Sequence, residues 1–151
     1  MTDRQWGFRT RALHAGGQPD PTTGARAVPI YQSTSFVFDN VADAADLFAL
    51  QKYGTIYTRI SNPTTAAFEE RMASLDGGIG AVATASGQAA EFLTAVALAE
   101  QGCNLVSSSA LYGGTHTMFE TTLGRCGIAA RFASGDDPDA FAARIDSDTR
   151  F

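Results

Sequence analysis

Ser86 and Gly87 stand where a strand-like run gives way to a helical one, in the stretch ATASGQAAE (residues 83–91). The first amide groups of a helix have no acceptor within the helix, and the helix dipole places about half a positive charge at that end. Such a turn suits an anion, most often a phosphate. Serine is also a common helix cap, and glycine can simply relieve close packing. The turn alone leaves phosphate binding and ordinary capping both open, and it lacks the lysine and spacing of a P-loop.

Tyr57 and Arg59 form a second candidate site, in the loop YGTIYTRISNP (residues 53–63). Alternate residues of an extended segment point to the same side. A phenol and a guanidinium together suit a phosphate, because arginine offers paired donors. Taken alone, a surface arginine beside a packed tyrosine explains the pair better.

Tyr112 is the third candidate, in SSSALYGGTH (residues 107–116). A tyrosine beside two glycines can lay its ring flat on a planar ligand. In isolation, a turn with a partly buried aromatic residue is the better explanation. His14 and His116 have no partner at metal-ligand spacing, so we expect structural or solvated roles for them and no metal site.

Strand-like and helical runs alternate along the second half of the chain, which is typical of an α/β fold with a mostly parallel sheet and crossover helices. Ser86 and Tyr112 each follow a predicted strand, so both should lie at the carboxyl edge of the sheet. In the helix that starts at Gly87, Ala89, Leu93, Val96 and Ala97 are predicted to share one face. The predicted strands are 79–85, 104–109 and 128–133, and the predicted helices are 87–101, about 114–126 and one opened by Asp137-Pro138.

The first forty residues show no sustained periodicity and carry many turn signals, so we expect an arm that packs on something else. Asn40 or Asp39 can cap a short helix, and Asn62-Pro63 can open another that Gly77-Gly78 ends. We therefore divide the chain into an N-terminal arm with the loop that follows it (1–62) and the first part of an α/β domain (63–151). After the last helix the pattern predicts one more strand, so the sequence looks like the front of a larger domain.

Composition narrows the class of protein further. The formal net charge is −5, which argues against a nucleic-acid-binding surface, and 44% of the 151 residues are hydrophobic, enough for a core. No run approaches the ~20 apolar residues of a membrane span, and the N-terminus has no signal-peptide core. Two cysteines are too few for a disulfide framework. These features predict a soluble protein of the cytoplasm.

Taken together and in this order, the motifs resemble the Cys/Met-metabolism enzymes that depend on pyridoxal phosphate (PLP). The similarity runs through TRALHAGG, AVPIYQSTSFVF, YTRISNPTTAAFEERMASLDGG, ATASGQAAE and NLVSSSALYGGTH, nearly the whole chain. The O-acetylhomoserine sulfhydrylase branch is the most similar. Lyases of the family tend to have Met at the position of Gln88, and methionine lyases a Cys at that of Gly114.

This resemblance implies a fold type I PLP-dependent transferase large domain, present here in part. It implies that Ser86, Gly87 and Gln88 hold the cofactor phosphate through backbone amides and that Tyr112 stacks on the pyridine ring and assists proton transfer. It also implies that Tyr57 and Arg59 reach the phosphate of a neighbouring subunit, in a homo-oligomer with shared active sites, usually a tetramer.

The reaction implied is γ-replacement on O-acetyl-L-homoserine by sulfide or a thiol, giving homocysteine or methionine plus acetate. The family holds PLP on a lysine in a later segment, and Lys52 is the only lysine here. We therefore expect the lysine to come from a C-terminal remainder of the same protein. The alternatives are cystathionine γ-synthase, O-succinylhomoserine sulfhydrylase, methionine γ-lyase, or an inactive fragment that serves only as an interaction module.

Overall fold

The computed structural model describes residues 6–151, so the first five residues of the predicted arm lie outside it. The chain forms two compact units, one ending at Ala83 and the other spanning Thr84–Phe151. The domain division after residue 62 stays a prediction. None of the helices within residues 6–151 is long and apolar enough to cross a membrane.

Residues 6–83 of the first unit form the helices α1 (Phe8–His14), α2 (Val41–Phe48) and α3 (Pro63–Asp76). The predicted caps start α2 and α3. The Asn40 side chain accepts from the Asp43 amide at 2.9 Å, and the Asn62 side chain accepts from the Thr64 amide at 2.9 Å.

Helix α1 was not predicted, because its seven residues carry no capping signal and no side chain caps its first turn. It is held against α3 by two arginines. Arg11 donates to the Ser74 carbonyl, and Arg71 Nε donates to the Ala15 carbonyl at 2.9 Å. A helix this short is marginal in water, so its stability comes from this packing.

The first unit has a thin core. Among residues 6–83, Ala15 and Leu47 are the buried hydrophobic residues, whereas Val37 is 97% exposed and Val41 87% exposed. This is consistent with an arm that packs on another surface.

The second unit contains a two-stranded parallel sheet and the helices around it. Strand β1 (Asn104–Ser108) pairs with β2 (Ala129–Ala133), with Asn104 opposite Ala129. The helices are α4 (Gly87–Leu98), α5 (Gly113–Thr117), a π-helix (Met118–Leu123) that continues it, and α6 (Pro138–Ala142). The predicted α/β class is confirmed, and β1, β2, α4 and α6 form where the sequence indicated.

The face of α4 that packs on the core is not the apolar face noted in the sequence. Leu93 and Val96 are 51% and 37% exposed, whereas Ala95 and Ala99 are buried. The core cluster consists of Ala95, Ala99, Cys103, Leu105, Leu123 and Ile128. Ala95 and Ala99 are small, so α4 can approach Leu105 and Leu123 closely. The helical periodicity of the sequence does not show that this face, rather than the face with Leu93 and Val96, is buried.

The predicted strand at 79–85 is wrong for the described part of the chain. Residues 79–84 have no strand pairing, and Ile79 and Val82 are 112% and 85% exposed. A strand exists only through ladder hydrogen bonds with a neighbour. None of residues 6–151 supplies that neighbour.

The further strand predicted after α6 begins to form beside β1. Thr149 makes a parallel bridge with Asn104, and the Arg150 amide donates to the Asn104 carbonyl at 2.9 Å. The Val106 amide donates to the Phe151 carbonyl at 2.9 Å. Strand β1 therefore lies between β2 and the segment 149–151.

Candidate cofactor site

The turn at Ser86 is an N-cap with two free amides beside it. Ser86 is extended (φ −159°, ψ 159°), and its Oγ accepts from the Ala89 amide at 3.1 Å. The Ser86 carbonyl accepts from the Ala90 amide at 3.1 Å. Within residues 6–151 the amides of Gly87 and Gln88 meet no acceptor. The Ser86 hydroxyl proton and these two amides are available to an oxyanion at the N-terminus of this twelve-residue helix.

Gly87 is not required by the protein around it. A Cβ built there has nothing within 4 Å, and its φ is not in the left-handed region. The sequence left two explanations open, relief of packing and access for a ligand. The described residues give no support to the first, so the bare backbone fits an approaching phosphate.

Tyr112 lies beside Gln88 in the second unit. It is the residue that precedes α5, and its side chain is 77% exposed. Its ring edge and the Gln88 side-chain amide converge on the open side of Gly114. An exposed ring next to the free amides of α4 is suited to a planar ligand that carries a phosphate.

A partly buried hydrogen bond connects α4 to the turn that carries Tyr112. Thr115, which is 6% exposed, donates through Oγ1 to Glu91 Oε2 at 2.9 Å. This contact was not predicted from the sequence. The sequence feature that could have indicated this contact is the position of Glu91, one helical turn after Gln88 and on the side of α4 that also carries Ala95.

Tyr57 and Arg59 lie together in the first unit. The Arg59 guanidinium lies 5.5 Å from the centre of the Tyr57 ring, a cation–π contact. Tyr57 forms an isolated antiparallel β-bridge with Ser35, and the chain turns directly after it. The loop is therefore less extended than predicted, but the side chains of Tyr57 and Arg59 still meet. Among residues 6–151, Arg59 has no carboxylate within 4 Å. Its paired donors are available to an anion.

Lys52 is unsuited to carry the cofactor. Its ammonium pairs with Asp43, and the hydrogen bond that it donates to that carboxylate is the largest cause of a raised pKa for Lys52. A lysine that forms a Schiff base must first lose its proton. This agrees with the expectation that the lysine lies elsewhere.

The two histidines make contacts that fit structural roles. The His116 ring stacks on Phe132, with centroids 4.1 Å apart and planes 8° apart. His14 Nδ1 lies 3.1 Å from an Arg26 guanidinium nitrogen. Because an arginine only donates, His14 accepts at Nδ1.

Comparison with known proteins identifies the family. The family model described as Cys/Met metabolism PLP-dependent enzyme matches residues 9–151. The chain belongs to this family. The chain is 52% identical over 144 residues to O-acetyl-L-homoserine sulfhydrylase 1 of Thermus thermophilus, covering 95% of this chain and 34% of that protein. It is 50% identical over 143 residues to homocysteine synthase of Schizosaccharomyces pombe, covering 95% and 33%.

Similarity to a solved structure supports the same conclusion. The crystal structure described as an O-acetylhomoserine (thiol)-lyase of Campylobacter jejuni, with N′-pyridoxyl-lysine-5′-monophosphate, has a TM-score of 0.89 and 41% identity. The similarity covers 95% of this chain and 35% of that one. The expected cofactor, PLP, is thereby confirmed for the family. This chain spans about a third of the length of the curated relatives it matches.

Proposed function

We propose that this chain forms part of a PLP-dependent transferase that carries out γ-replacement on O-acetyl-L-homoserine. Sulfide or a thiol replaces acetate and gives homocysteine or methionine. The observation that carries the proposal is the 52% identity to an O-acetyl-L-homoserine sulfhydrylase over 95% of this chain. The free amides and the exposed ring of the second unit supply what such a reaction needs from this part of the protein.

The surroundings of Gly87 show that the residues present fit the phosphate of the cofactor. The open space at its missing Cβ and the two free amides of α4 can accept a phosphate without moving any described residue. Gly87, Gln88 and the Ser86 hydroxyl would hold that phosphate, and the Tyr112 ring would cover one face of the pyridine. When bound, PLP supplies an electron sink for carbanions at the substrate carbons.

Tyr112 has a second role in the proposal, because its hydroxyl is carried by the same ring that would cover the pyridine. At 77% exposure the phenol is open to a substrate, so it can take or return a proton at the reacting carbon. The Thr115–Glu91 hydrogen bond holds this tyrosine's segment against α4, which fixes the ring relative to the phosphate turn.

We also propose that the active site is shared between subunits. Among residues 6–151 the Arg59 guanidinium has no carboxylate partner, and Tyr57 keeps it in place through the cation–π contact. These groups would reach the cofactor phosphate of a neighbouring copy in a homo-oligomer, which we expect to be a tetramer. The Schiff-base lysine would come from a segment outside these 151 residues. Cys103 and Cys126 are both free thiols, which suits a cytoplasmic protein.

The test combines cofactor content, activity and intact mass of the purified protein that contains this sequence. We expect bound PLP, and homocysteine from O-acetylhomoserine and sulfide, in a protein heavier than 15.9 kDa. Faster turnover of the succinyl ester, or release of a keto acid from methionine, would instead indicate one of the related activities. A species of 15.9 kDa without PLP would leave only the interaction-module alternative.

A further inference from the structure

The π-helix (Met118–Leu123) brings together side chains that a regular α-helix would separate. Residues five apart lie about 140° apart around an α-helix, because each residue turns the chain by about 100°. In a π-helix each amide bonds to the fifth carbonyl before it, so such residues come onto one face. Met118 and Leu123 are both buried, at 9% and 0% exposure, in agreement with this geometry. Thr117 and Thr122, also five apart, both line one cavity.

That cavity adjoins the proposed cofactor site. It has a volume of about 550 Å³ and lies between the start of α4 and the helix that follows Tyr112. Gln88 lines it and also belongs to the phosphate turn, and Gly113, which lines it too, is the residue after Tyr112. A substrate that reacts beside the tyrosine ring can therefore extend a substituent into this cavity.

The polar groups that line the cavity are neutral. They are the hydroxyls of Thr117 and Thr122 and the side-chain amide of Gln88, all on exposed residues and thus open to a ligand. Phe92 and Met118 supply apolar surface beside them. Hydroxyls and an amide can donate to a carbonyl oxygen, and apolar side chains can contact a methyl group. This combination fits a small, uncharged acyl group.

The charges near the cavity are unsuited to a second carboxylate. Neither α4, α5 nor the π-helix contains a lysine or an arginine. Their carboxylates are Glu91, which accepts from Thr115, and Glu120, which lies 3.7 Å from His116. His116 stacks on a phenylalanine of β2 and does not line the cavity. An anionic substituent would therefore meet neutral donors and nearby negative charge.

We propose that this cavity receives the acyl group of the substrate ester and that its uncharged lining selects an acetyl ester over a succinyl ester. This inference rests on the proposed function, because it assigns the acyl end of the γ-replacement substrate. Thr117 and Thr122 would donate to the ester carbonyl. A succinyl ester adds a carboxylate, which would lose water here without gaining a cationic partner. The selection is by charge, since a cavity of about 550 Å³ has room for either acyl group.

The first test compares Thr122→Lys with Thr121→Lys in the purified holoenzyme. Thr121 is an exposed residue of the same π-helix that does not line the cavity, so both variants add the same charged side chain to one helix. The measurement is kcat/KM for the acetyl and succinyl esters of homoserine, with sulfide as the nucleophile. We expect Thr122→Lys to shift the ratio about 10- to 100-fold toward the succinyl ester, the effect of a new charged contact. Thr121→Lys should keep the wild-type ratio, and equal ratios in the two variants would overturn the inference.

A second test removes the hydroxyls without adding charge. Thr117→Val and Thr122→Val keep the shape of the side chain, and each should lower kcat/KM for the acetyl ester about 2- to 10-fold, the effect of one lost hydrogen bond. Thr121→Val is the control and should match wild type. Wild-type kcat/KM in both cavity variants would overturn the inference. These variants decide the question if Thr122→Lys does not fold or does not hold PLP.

The wild-type measurements separate this inference from the proposal beneath it. A wild-type protein that binds no PLP and acts on neither ester would overturn the proposed function and this inference together, and so would a preference for the succinyl ester. A PLP-bound wild type that prefers the acetyl ester, with the same preference in every cavity variant, would overturn the inference alone.

Discussion

At the scale of single residues, Gly87 and Gly114 differ in what surrounds them. Gly87 faces open space, whereas a Cβ at Gly114 would collide with two side chains. The open space at Gly87 fits an approaching ligand, whereas the atoms near Gly114 are the ends of two flexible side chains. The sequence marks both positions and does not tell these surroundings apart.

Gly87→Ala should have opposite effects on stability and on cofactor binding. Without PLP the variant should unfold at the same or a higher temperature, because alanine restricts the unfolded chain and gains about 0.4–1 kcal/mol. With PLP it should bind the cofactor about 10- to 100-fold more weakly, because the methyl group stands where the phosphate approaches. Thermal unfolding and equilibrium titration with PLP measure the two effects.

Gly124→Ala is the matched control for this substitution. Gly124 has helical backbone angles (φ −57°, ψ −37°) and open space at its Cβ, but it is not part of the phosphate turn. It should gain stability without losing cofactor affinity. Cofactor affinity equal to wild type in Gly87→Ala would exclude a phosphate at this turn.

Arg59→Ala should weaken cofactor retention in the assembled protein. Loss of a charged contact to phosphate costs about 1.5–3 kcal/mol, which corresponds to about 10- to 100-fold in Kd. The rate at which PLP is lost on dialysis measures the effect. Arg125→Ala, at an exposed arginine of the second unit, is the control and should retain PLP normally. Unchanged retention in Arg59→Ala would remove this residue from the site.

At the scale of elements, local signals and tertiary contacts each determine part of the structure. Asn40, Asn62 and Ser86 cap the helices that their positions predicted. Helix α1 and the buried face of α4 were not predictable, because each depends on a partner element: α3 for the first, and the core around Leu105 for the second. The π-helix in place of regular α-helix after Thr117 has no signal in the sequence.

Asp146 ties the two strands together and should give the fold a measurable dependence on pH. Its carboxylate accepts from Asn104 Nδ2 at 2.9 Å and pairs with Arg131 at 2.6 Å. These contacts, with Asn104 the largest, lower the pKa of Asp146 from 3.8 to about 2. Because the folded pKa lies below the unfolded one, the stabilisation is full well above pH 3.8 and is lost as the pH falls through about 2.

Asp146→Asn should therefore lower the unfolding temperature near neutral pH and match wild type near pH 2. The difference between the two proteins should shrink between about pH 4 and pH 2, where the wild-type carboxylate takes up its proton. Thermal unfolding at a series of pH values measures it. Asp136 is an exposed residue of the turn that follows β2, and Asp136→Asn should follow the wild-type curve. A difference that does not depend on pH would mean that charge is not the cause.

At the scale of the whole molecule, these 151 residues leave much apolar surface uncovered. The described chain exposes Ile79, Val82, Val37, Val41 and Tyr53 by 85% or more. Its sheet has two regular strands, and parallel sheets are normally covered on both faces. Apolar surface of this kind is usually covered by other protein.

The 151-residue chain expressed by itself should aggregate or melt without cooperativity. The core of the first unit is small and the 79–84 segment is unpaired. Together they bury too little apolar area to offset the loss of conformational entropy on folding. Calorimetry and sedimentation velocity measure the two outcomes. A sharp, cooperative transition of a monomeric chain would show that the exposed apolar residues need no further partner.

Capping and periodicity in the sequence were enough to predict the α/β class, and the resemblance of its motifs indicated the family and the residues of the candidate site. Tertiary packing brings together residues that the sequence does not pair, as in the hydrogen bond between Thr115 and Glu91. Such contacts depend on how α4 and α5 pack on the same core, and packing joins residues whose separation along the chain carries no signal.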